Sequence, residues 1–366
     1  MALDRVEDAI AAMAAGELVV VVDDTDRENE GDLIMAASKA APDKIAFMIR
    51  HTSGIICVPM MPDRAETLNL APMVANNRDP MRTAFTVTVD YRHGLTTGIS
   101  AEERANTISA LANDNCAASD FVRPGHIFPL IAREGGVLIR SGHTEAATDL
   151  ARLAGLEPVG VLAEIVNDDG TVKRLPQLLE FAAEHGLKII SIEDLIAYRA
   201  RTETFVREVD AFPVAIGGRT ANAIVYETPF DSMQHLAIVF GDVREQSDIP
   251  TRIHRADPIA DLIQNGSQAW LRTTWKRLGD ADRGVFVLLR TPMIIRPDGL
   301  PEGTDGEERH RSAQSRRQRW REVGLGAQIL RHLGVRSIRL LAAHERQFVG
   351  LQGFGIEIVK TEICSD

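Results

Sequence analysis

The chain has 366 residues, room for two ordinary hydrophobic cores, and its 45% apolar, 25% charged and 5% aromatic residues are the balance of a globular protein. A formal net charge of −11 argues against a general nucleic-acid binder, though not against a local anion site. Cys57, Cys116 and Cys364 are too scattered for a disulfide framework or a CxxC zinc site, and no apolar run reaches membrane-spanning length, so the expectation is a cytoplasmic protein with no membrane partner.

The opening MALDRVEDAIAAM reads as an amphipathic helix with acids in it rather than a secretory signal. Val6, Ile10 and Met13 recur at helical spacing, Gly16 ends the helix, and Leu18 to Val22 follows as a buried strand. Directly behind it, DDTDRENEGD places Asp23, Asp24, Asp26, Glu28, Glu30 and Asp32 around Arg27. Acids this close repel one another and resist ionising unless a cation sits among them. A hard divalent ion suits them, because Mg²⁺ takes one or two carboxylates and keeps waters for a phosphate-bearing substrate to share. A solvated acidic turn is the other reading of this stretch.

Pro42 opens a helix through Ile45, Met48 and Ile49 that exits at Ser53-Gly54, and Ile55 to Val58 is the next strand. Phe85 to Val89 alternates with threonines as a half-exposed strand does. Ser100 with Glu103 forms a capping-box start for the helix carrying Ile108 and Leu111. In Arg123-Pro124-Gly125-His126 the central pair predicts a turn that displays His126 ahead of the strand Ile127 to Ile131.

Arg140-Ser141-Gly142-His143-Thr144 falls between an expected strand, Val137 to Ile139, and a helix running to Gly155. Unpaired N–H groups and the positive dipole end make such a helix start a place for an anion. Arg140 adds a fork that fits phosphate oxygens, and Ser141 and Thr144 add hydroxyls. His143 beside them is a ready metal ligand or proton carrier; a capped helix with one surface arginine is the plainer alternative. Glu164 stands on an otherwise apolar strand, Val159 to Val166. Two helical stretches around the strand Lys188 to Ile192 complete this half.

Periodicity fails around Ala200 to Pro213, which places the domain boundary at 203/204. The second domain begins with the strands Ala223 to Tyr226 and Leu236 to Phe240 and ends in a helix, Gly326 to Leu333, and a strand, Ile338 to Ala342. Arg296 to Arg321 is a Pro-, Gly- and Arg-rich interruption that reads as a solvated loop.

DDTDRENEGDLIMAA, HTSGIICVPM, LTTGIS, RPGHIFPL, REGGVLIRSGHTEAATDLARLAG and AEIVNDDGT, in this order over residues 1 to 200, closely resemble the 3,4-dihydroxy-2-butanone 4-phosphate synthase family of riboflavin biosynthesis. The resemblance implies an α+β fold with a mixed-sheet synthase domain and flanking helices, followed by a second, α/β domain. It implies conversion of D-ribulose 5-phosphate to L-3,4-dihydroxy-2-butanone 4-phosphate and formate with Mg²⁺ or Mn²⁺, by a homodimer. Carried onto this sequence, Glu28 and His143 are the metal ligands, and Arg27, Asp32 and Arg140 to Thr144 bind the substrate with its phosphate at the helix start. His126 and Glu164 match the family's two essential catalytic positions; Cys57 falls near the site and Thr97 near the phosphate. Enolising a ketose needs a base beside the carbonyl, here assigned to Glu164, with His126 serving the hydroxyl that leaves.

From about Ala211 the chain resembles GTP cyclohydrolase II, most clearly in VGLGAQILRHLGVRSIRLL and VGLQGFGIEIV. In that register, anchored on Thr251 to His254, the family's three zinc cysteines are replaced by Asp257, Gln268 and Trp270. Gln is a poor zinc ligand and Trp cannot be one. Thr291 to Ile295 stand where the family's catalytic turn should follow Arg290, and Arg319 replaces its acid–base aspartate, two residues before Arg321. No zinc and no cyclohydrolase activity are therefore expected. A fully bifunctional enzyme and a non-catalytic binding protein are the rival readings.

Overall fold

The four valines Val19–Val22 form a strand (β1) whose every side chain is buried, because helices cover both faces of the sheet it belongs to. Val20 and Val22 point into one apolar core and Val19 and Val21 into another, the period-2 alternation of a strand read from both sides. In the computed structural model, residues 2–24, 27–229, 231–256, 261, 269–290, 324–342 and 356–363 are described. The chain divides into two compact units, Met1–Tyr198 and Arg199–Asp366.

The N-terminal unit runs α1 (Val6–Ala15), β1, β2 (Gly31–Ala36), α2 (Pro42–His51), β3 (Cys57–Met60), α3 (Pro62–Thr67), β4 (Val89–Tyr91), α4 (Ala101–Leu111), β5 (Phe121–Ile131), α5 (His143–Leu153), β6 (Gly160–Glu164), α6 (Leu175–His185), β7 (Lys188–Ser191) and α7 (Ile192–Thr202), which crosses the division. Its mixed seven-stranded sheet has the order β4-β5-β3-β6-β2-β1-β7. Ile45, Met48, Ile108, Leu111, Leu178 and Phe181 bring α2, α4 and α6 to one face. Met13, Leu150 and Leu195 bring α1, α5 and α7 to the other. Gly16 caps α1 in the left-handed region as expected, and the Ser100 hydroxyl accepts the Glu103 N–H at the start of α4.

Three local expectations are corrected. Phe85 to Val89 is not a strand: Phe85 and Thr86 make only isolated bridges, to Leu130 of β5 and to Pro72, and the ladder with β5 is confined to Val89 to Tyr91. Val137 to Ile139 curls into a 3-10 turn at Gly136–Leu138, since Gly135 and Gly136 both adopt positive φ and the Asp149 carboxylate takes the Val137 N–H that a sheet partner would need. Pro124 and Gly125 do not precede the strand but lie within β5, where its register against β4 shifts, so His126 sits at an irregularity inside the sheet.

The C-terminal unit has its own seven-stranded sheet, order β14-β13-β11-β12-β10-β9-β8, from β8 (Arg207–Ile216), β9 (Arg219–Thr228), β10 (Asp231–Phe240), β11 (Ile249–Arg255), β12 (Gly284–Leu289), β13 (Ser337–Ala342) and β14 (Glu357–Ile363). Helix α8 (Ala269–Asp280) and a helix at 324–332 complete it. Asp257, Gln268, Thr291 to Ile295 and the Arg296 to Arg321 segment lie outside the described residues. No helix among the described residues is long and apolar enough to cross a membrane.

Candidate active site

Strand register gathers the singled-out residues of the N-terminal unit at one end of its sheet. Asp32, the second residue of β2, pairs with Glu164, the last residue of β6; Cys57 opens β3 beside Leu162 of β6 and Phe128 of β5, two residues after His126. β1 delivers the acidic segment to this end. Asp23, just beyond β1, organises that segment: one carboxylate oxygen accepts from Arg27 Nη1 at 2.9 Å and from the Glu28 N–H at 3.0 Å, the other from the Glu30 N–H at 2.8 Å. Arg27 also bonds Glu28, and Arg174 donates to the Glu28 carbonyl at 2.7 Å.

His143 begins α5 with its ring buried. Its Nε2 lies 3.1 Å from the Val21 carbonyl, which can only accept, so the proton sits on Nε2 and Nδ1 is turned to the acids. Nδ1 is 3.6 Å from Glu28 Oε2 and 3.7 Å from Asp32 Oδ1. Burial alone would lower the imidazole, but Asp32, Glu28 and Asp23 overcome it and raise it to about 9. Burial would raise Glu28, yet His143 and Arg27 bring it down to about 2. Asp32, only 2% exposed, is pushed up to about 8 by burial and by the neighbouring Glu164, Glu28 and Asp23 carboxylates, despite His143.

Two observations test whether a cation fits here. Asp32 Oδ1 is buried without a hydrogen-bond partner, an expensive state for a carboxylate oxygen. Ligand atoms of Asp23, Glu28 and His143 lie within 4.8 Å of one another, the only such set among the described residues. Oxygen donors with one imidazole suit Mg²⁺ or Mn²⁺. Glu28 and His143, paired in the sequence reading, are thus brought together, and Asp23 joins them.

Glu164 is half-buried and its Oε2 accepts the Ser53 hydroxyl at 2.6 Å. Cys57 is buried, and burial together with Glu164 and Asp32 pushes its thiol far up. His126 is held through both its backbone and its ring: its N–H donates to Asp90 Oδ1 at 2.8 Å and its Nδ1 meets Asp90 Oδ2 at 2.7 Å. Asp90 is buried while the His126 side chain is 41% exposed, so Nε2 is left for a ligand. Gly98 lies directly on this pair, which brings the loop carrying exposed Thr97 to it. Arg140 does not point freely to solvent: its Nη1 donates to Glu145 at 2.7 Å. Ser141 is half-buried, and Gly142 and Thr144 are buried at the start of α5.

Sequence reasoning missed Asp90, Ser53 and Glu145. An acid in the strand-like TVTVDY and an acid in the first turn of α5 were visible signals. Neither names its partner, which lies 36 residues away for Asp90.

In the C-terminal unit, Trp270 packs on His254 with ring centroids 4.4 Å apart, and the Arg252 guanidinium lies 5.5 Å from the Trp270 ring. His254 Nε2 is 2.9 Å from Asp261.

The family model for 3,4-dihydroxy-2-butanone 4-phosphate synthase matches residues 7–198, and that for GTP cyclohydrolase II matches residues 207–362. The chain is 45% identical over 374 residues to the chloroplastic bifunctional riboflavin biosynthesis protein RIBA 1 of Arabidopsis thaliana, covering 97% of this chain and 68% of that protein. Its structure is similar to a two-domain 3,4-dihydroxy-2-butanone 4-phosphate synthase from A. baumannii, with a TM-score of 0.79 and 37% identity over 99% of this chain and 100% of the other. A 3,4-dihydroxy-2-butanone 4-phosphate synthase solved in complex with two magnesium ions matches 55% of this chain and 98% of its own, with a TM-score of 0.53 and 46% identity. The chain belongs to the 3,4-dihydroxy-2-butanone 4-phosphate synthase family and carries a GTP cyclohydrolase II-like second half.

Proposed function

We propose that the N-terminal unit converts D-ribulose 5-phosphate to L-3,4-dihydroxy-2-butanone 4-phosphate and formate, and that the C-terminal unit is not a cyclohydrolase. The observation that carries the first statement is the convergence of Glu28, Asp32 and Glu164 with His143 Nδ1 at one sheet end.

Glu28 and His143 would hold a Mg²⁺ or Mn²⁺ ion, with Asp23 and Asp32 beside them. When bound, that ion stabilises negative charge as it builds on adjacent substrate oxygens. Arg27 and Asp32 bind the sugar, while Arg140 to Thr144 and Thr97 take its phosphate. Glu164, oriented by Ser53, moves protons at the ketose carbons; its half-buried carboxylate faces the same end as the acidic segment. His126, with Asp90 fixing its tautomer, uses Nε2 on the hydroxyl that leaves. Cys57 lines the site without reacting. The acidic segment, pinned by Asp23 and Arg174, shields the reactive diketone from water. The family's dimeric habit makes the active form a homodimer.

For the C-terminal unit, the reading rests on ligand chemistry. An indole has no lone pair for zinc, and Trp270 is packed against His254 and Arg252. The bifunctional alternative is favoured by the name of the Arabidopsis relative and by the cyclohydrolase match. Incubating the full chain with ribulose 5-phosphate and Mg²⁺ and measuring formate tests the first half; GTP with pyrophosphate detection tests the second. Absence of formate with either Mg²⁺ or Mn²⁺ would reject the synthase reading.

A further inference from the structure

Glu145 is the least exposed charged residue described, at 1%, and the chemistry above does not use it. Both its oxygens are engaged: Oε1 accepts the Arg133 N–H at 3.1 Å and Oε2 accepts Arg140 Nη1 at 2.7 Å. Arg140 Nη2 donates to the Met81 carbonyl at 3.3 Å and meets the Thr83 hydroxyl at 3.5 Å. The guanidinium is folded back over Gly142, the residue that caps α5, so closely that a Cβ there would overlap Nη1 and stand 3.0 Å from Glu145 Oε2. Of the five N–H groups of a guanidinium, these partners use three, which leaves two.

We propose that Glu145 is a positioning residue for the phosphate end of the substrate. It holds the Arg140 fork over Gly142, so that the two remaining donors and the first N–H groups of α5 address one anion. A carboxylate aimed at a phosphate would repel it. This one is sealed in the interior with both oxygens turned to donors, and so it acts through the guanidinium. Its place in the first turn of α5 also suits the positive end of the helix. The proposal rests on the reading that Arg140 to Thr144 receive the phosphate.

The test is Glu145→Gln in the full chain, alone and with Arg140→Gln. Glutamine keeps the shape but offers one acceptor oxygen where two donors need one each. Affinity for inorganic phosphate, measured by calorimetry, should fall about tenfold, the scale of one lost charge-assisted hydrogen bond. The KM for ribulose 5-phosphate should rise by a similar factor, with kcat held within about threefold, and Mn²⁺ affinity should not change. In the Arg140→Gln background, Glu145→Gln should cost nothing more, because its effect runs through the missing fork. Unchanged phosphate affinity in Glu145→Gln, additive losses in the double variant, or no phosphate binding by the wild type would overturn the proposal. A parallel loss of Mn²⁺ binding would also overturn it, showing that the start of α5 had come apart. Phosphate binding is read without turnover. A wild type that binds phosphate and releases no formate therefore sinks the synthase reading while this test stands.

Discussion

Asp90→Asn isolates the tautomer of His126 from everything else in the site. Asp90 gives its two oxygens to two donors of the same residue, the His126 backbone N–H at 2.8 Å and its Nδ1 at 2.7 Å. Asparagine has one oxygen. The backbone N–H can only donate, so it claims that oxygen, and the amide NH₂ then faces Nδ1. Nδ1 must become the acceptor, and the ring, with its single proton on Nε2, has none it can give to the hydroxyl that leaves. Turning the amide round opposes two donors instead and displaces the ring. Losing a general acid costs about 10²- to 10⁴-fold in kcat, or roughly 3 to 5.5 kcal/mol at about 1.4 kcal/mol per tenfold. The fold loses less: one hydrogen bond at a buried site is worth about 1–3 kcal/mol against about 5–15 for a domain. Formate release gives kcat, thermal melting reports the fold, and Mn²⁺ titration reports the metal site. Asp120→Asn is the control, since Asp120 makes a carboxylate–imidazole bond to His93 Nε2 at 2.9 Å with the histidine 59% exposed. It should leave kcat within about twofold, as surface pairs contribute little. Asp90→Asn with kcat within threefold of wild type, a normal melt and normal Mn²⁺ binding would refute the assignment of His126.

Glu164→Gln should lower kcat by about 10²- to 10⁴-fold while Mn²⁺ affinity stays level, the mark of a lost base rather than a lost ligand; equal losses in both would make Glu164 a ligand instead. Without metal, thermal stability should fall between about pH 4 and pH 9, first through Asp32 and above about pH 6.5 through His143 as well, because both keep protons in the fold that the unfolded chain releases. Burial and neighbouring carboxylates raise Asp32 from 3.8 to about 8, and the acids, against burial, raise His143 from 6.5 to about 9. The stabilisation is complete below the unfolded values and gone once pH passes the folded ones. Mg²⁺ should flatten the decline, and a midpoint that rises over this range contradicts the sign. Elemental analysis of the purified chain should find no stoichiometric zinc and GTP should yield no pyrophosphate; either one present would restore the bifunctional reading.

Much of this fold was legible because it depends on local pattern. Val6, Ile10 and Met13 ahead of Gly16 describe α1, and four valines in a row describe a strand covered on both faces. The acidic segment was legible for a different reason, since no apolar environment tolerates six carboxylates in ten residues. Val137 to Ile139 was misread because an apolar run looks the same in a strand and in a turn. The two glycines before it and the Asp149 carboxylate decided the matter. Asp90 and Glu145 were unreadable as site residues because their meaning lies in partners on other elements. An acid at a buried position announces that it is paired, but not with what.

The division of labour within the N-terminal unit explains why one end of the sheet can carry so much unfavourable polarity. Two apolar cores, one on each face, hold the strands together along their length. Neither depends on Asp32, Glu164 or His143. The sheet end can therefore keep an unpartnered buried oxygen on Asp32 and an imidazole that must ionise against its burial. Those are costs a purely structural site would have relieved, for instance by an apolar pair of the same volume. Substitutions at this end should therefore change binding and turnover far more than they change melting, and Asp32→Asn makes the sharpest case. Burial and the neighbouring carboxylates already keep Asp32 mostly protonated near neutral pH in the metal-free chain, so asparagine removes little charge there and the chain should melt no lower than wild type, while ribulose 5-phosphate turnover is lost.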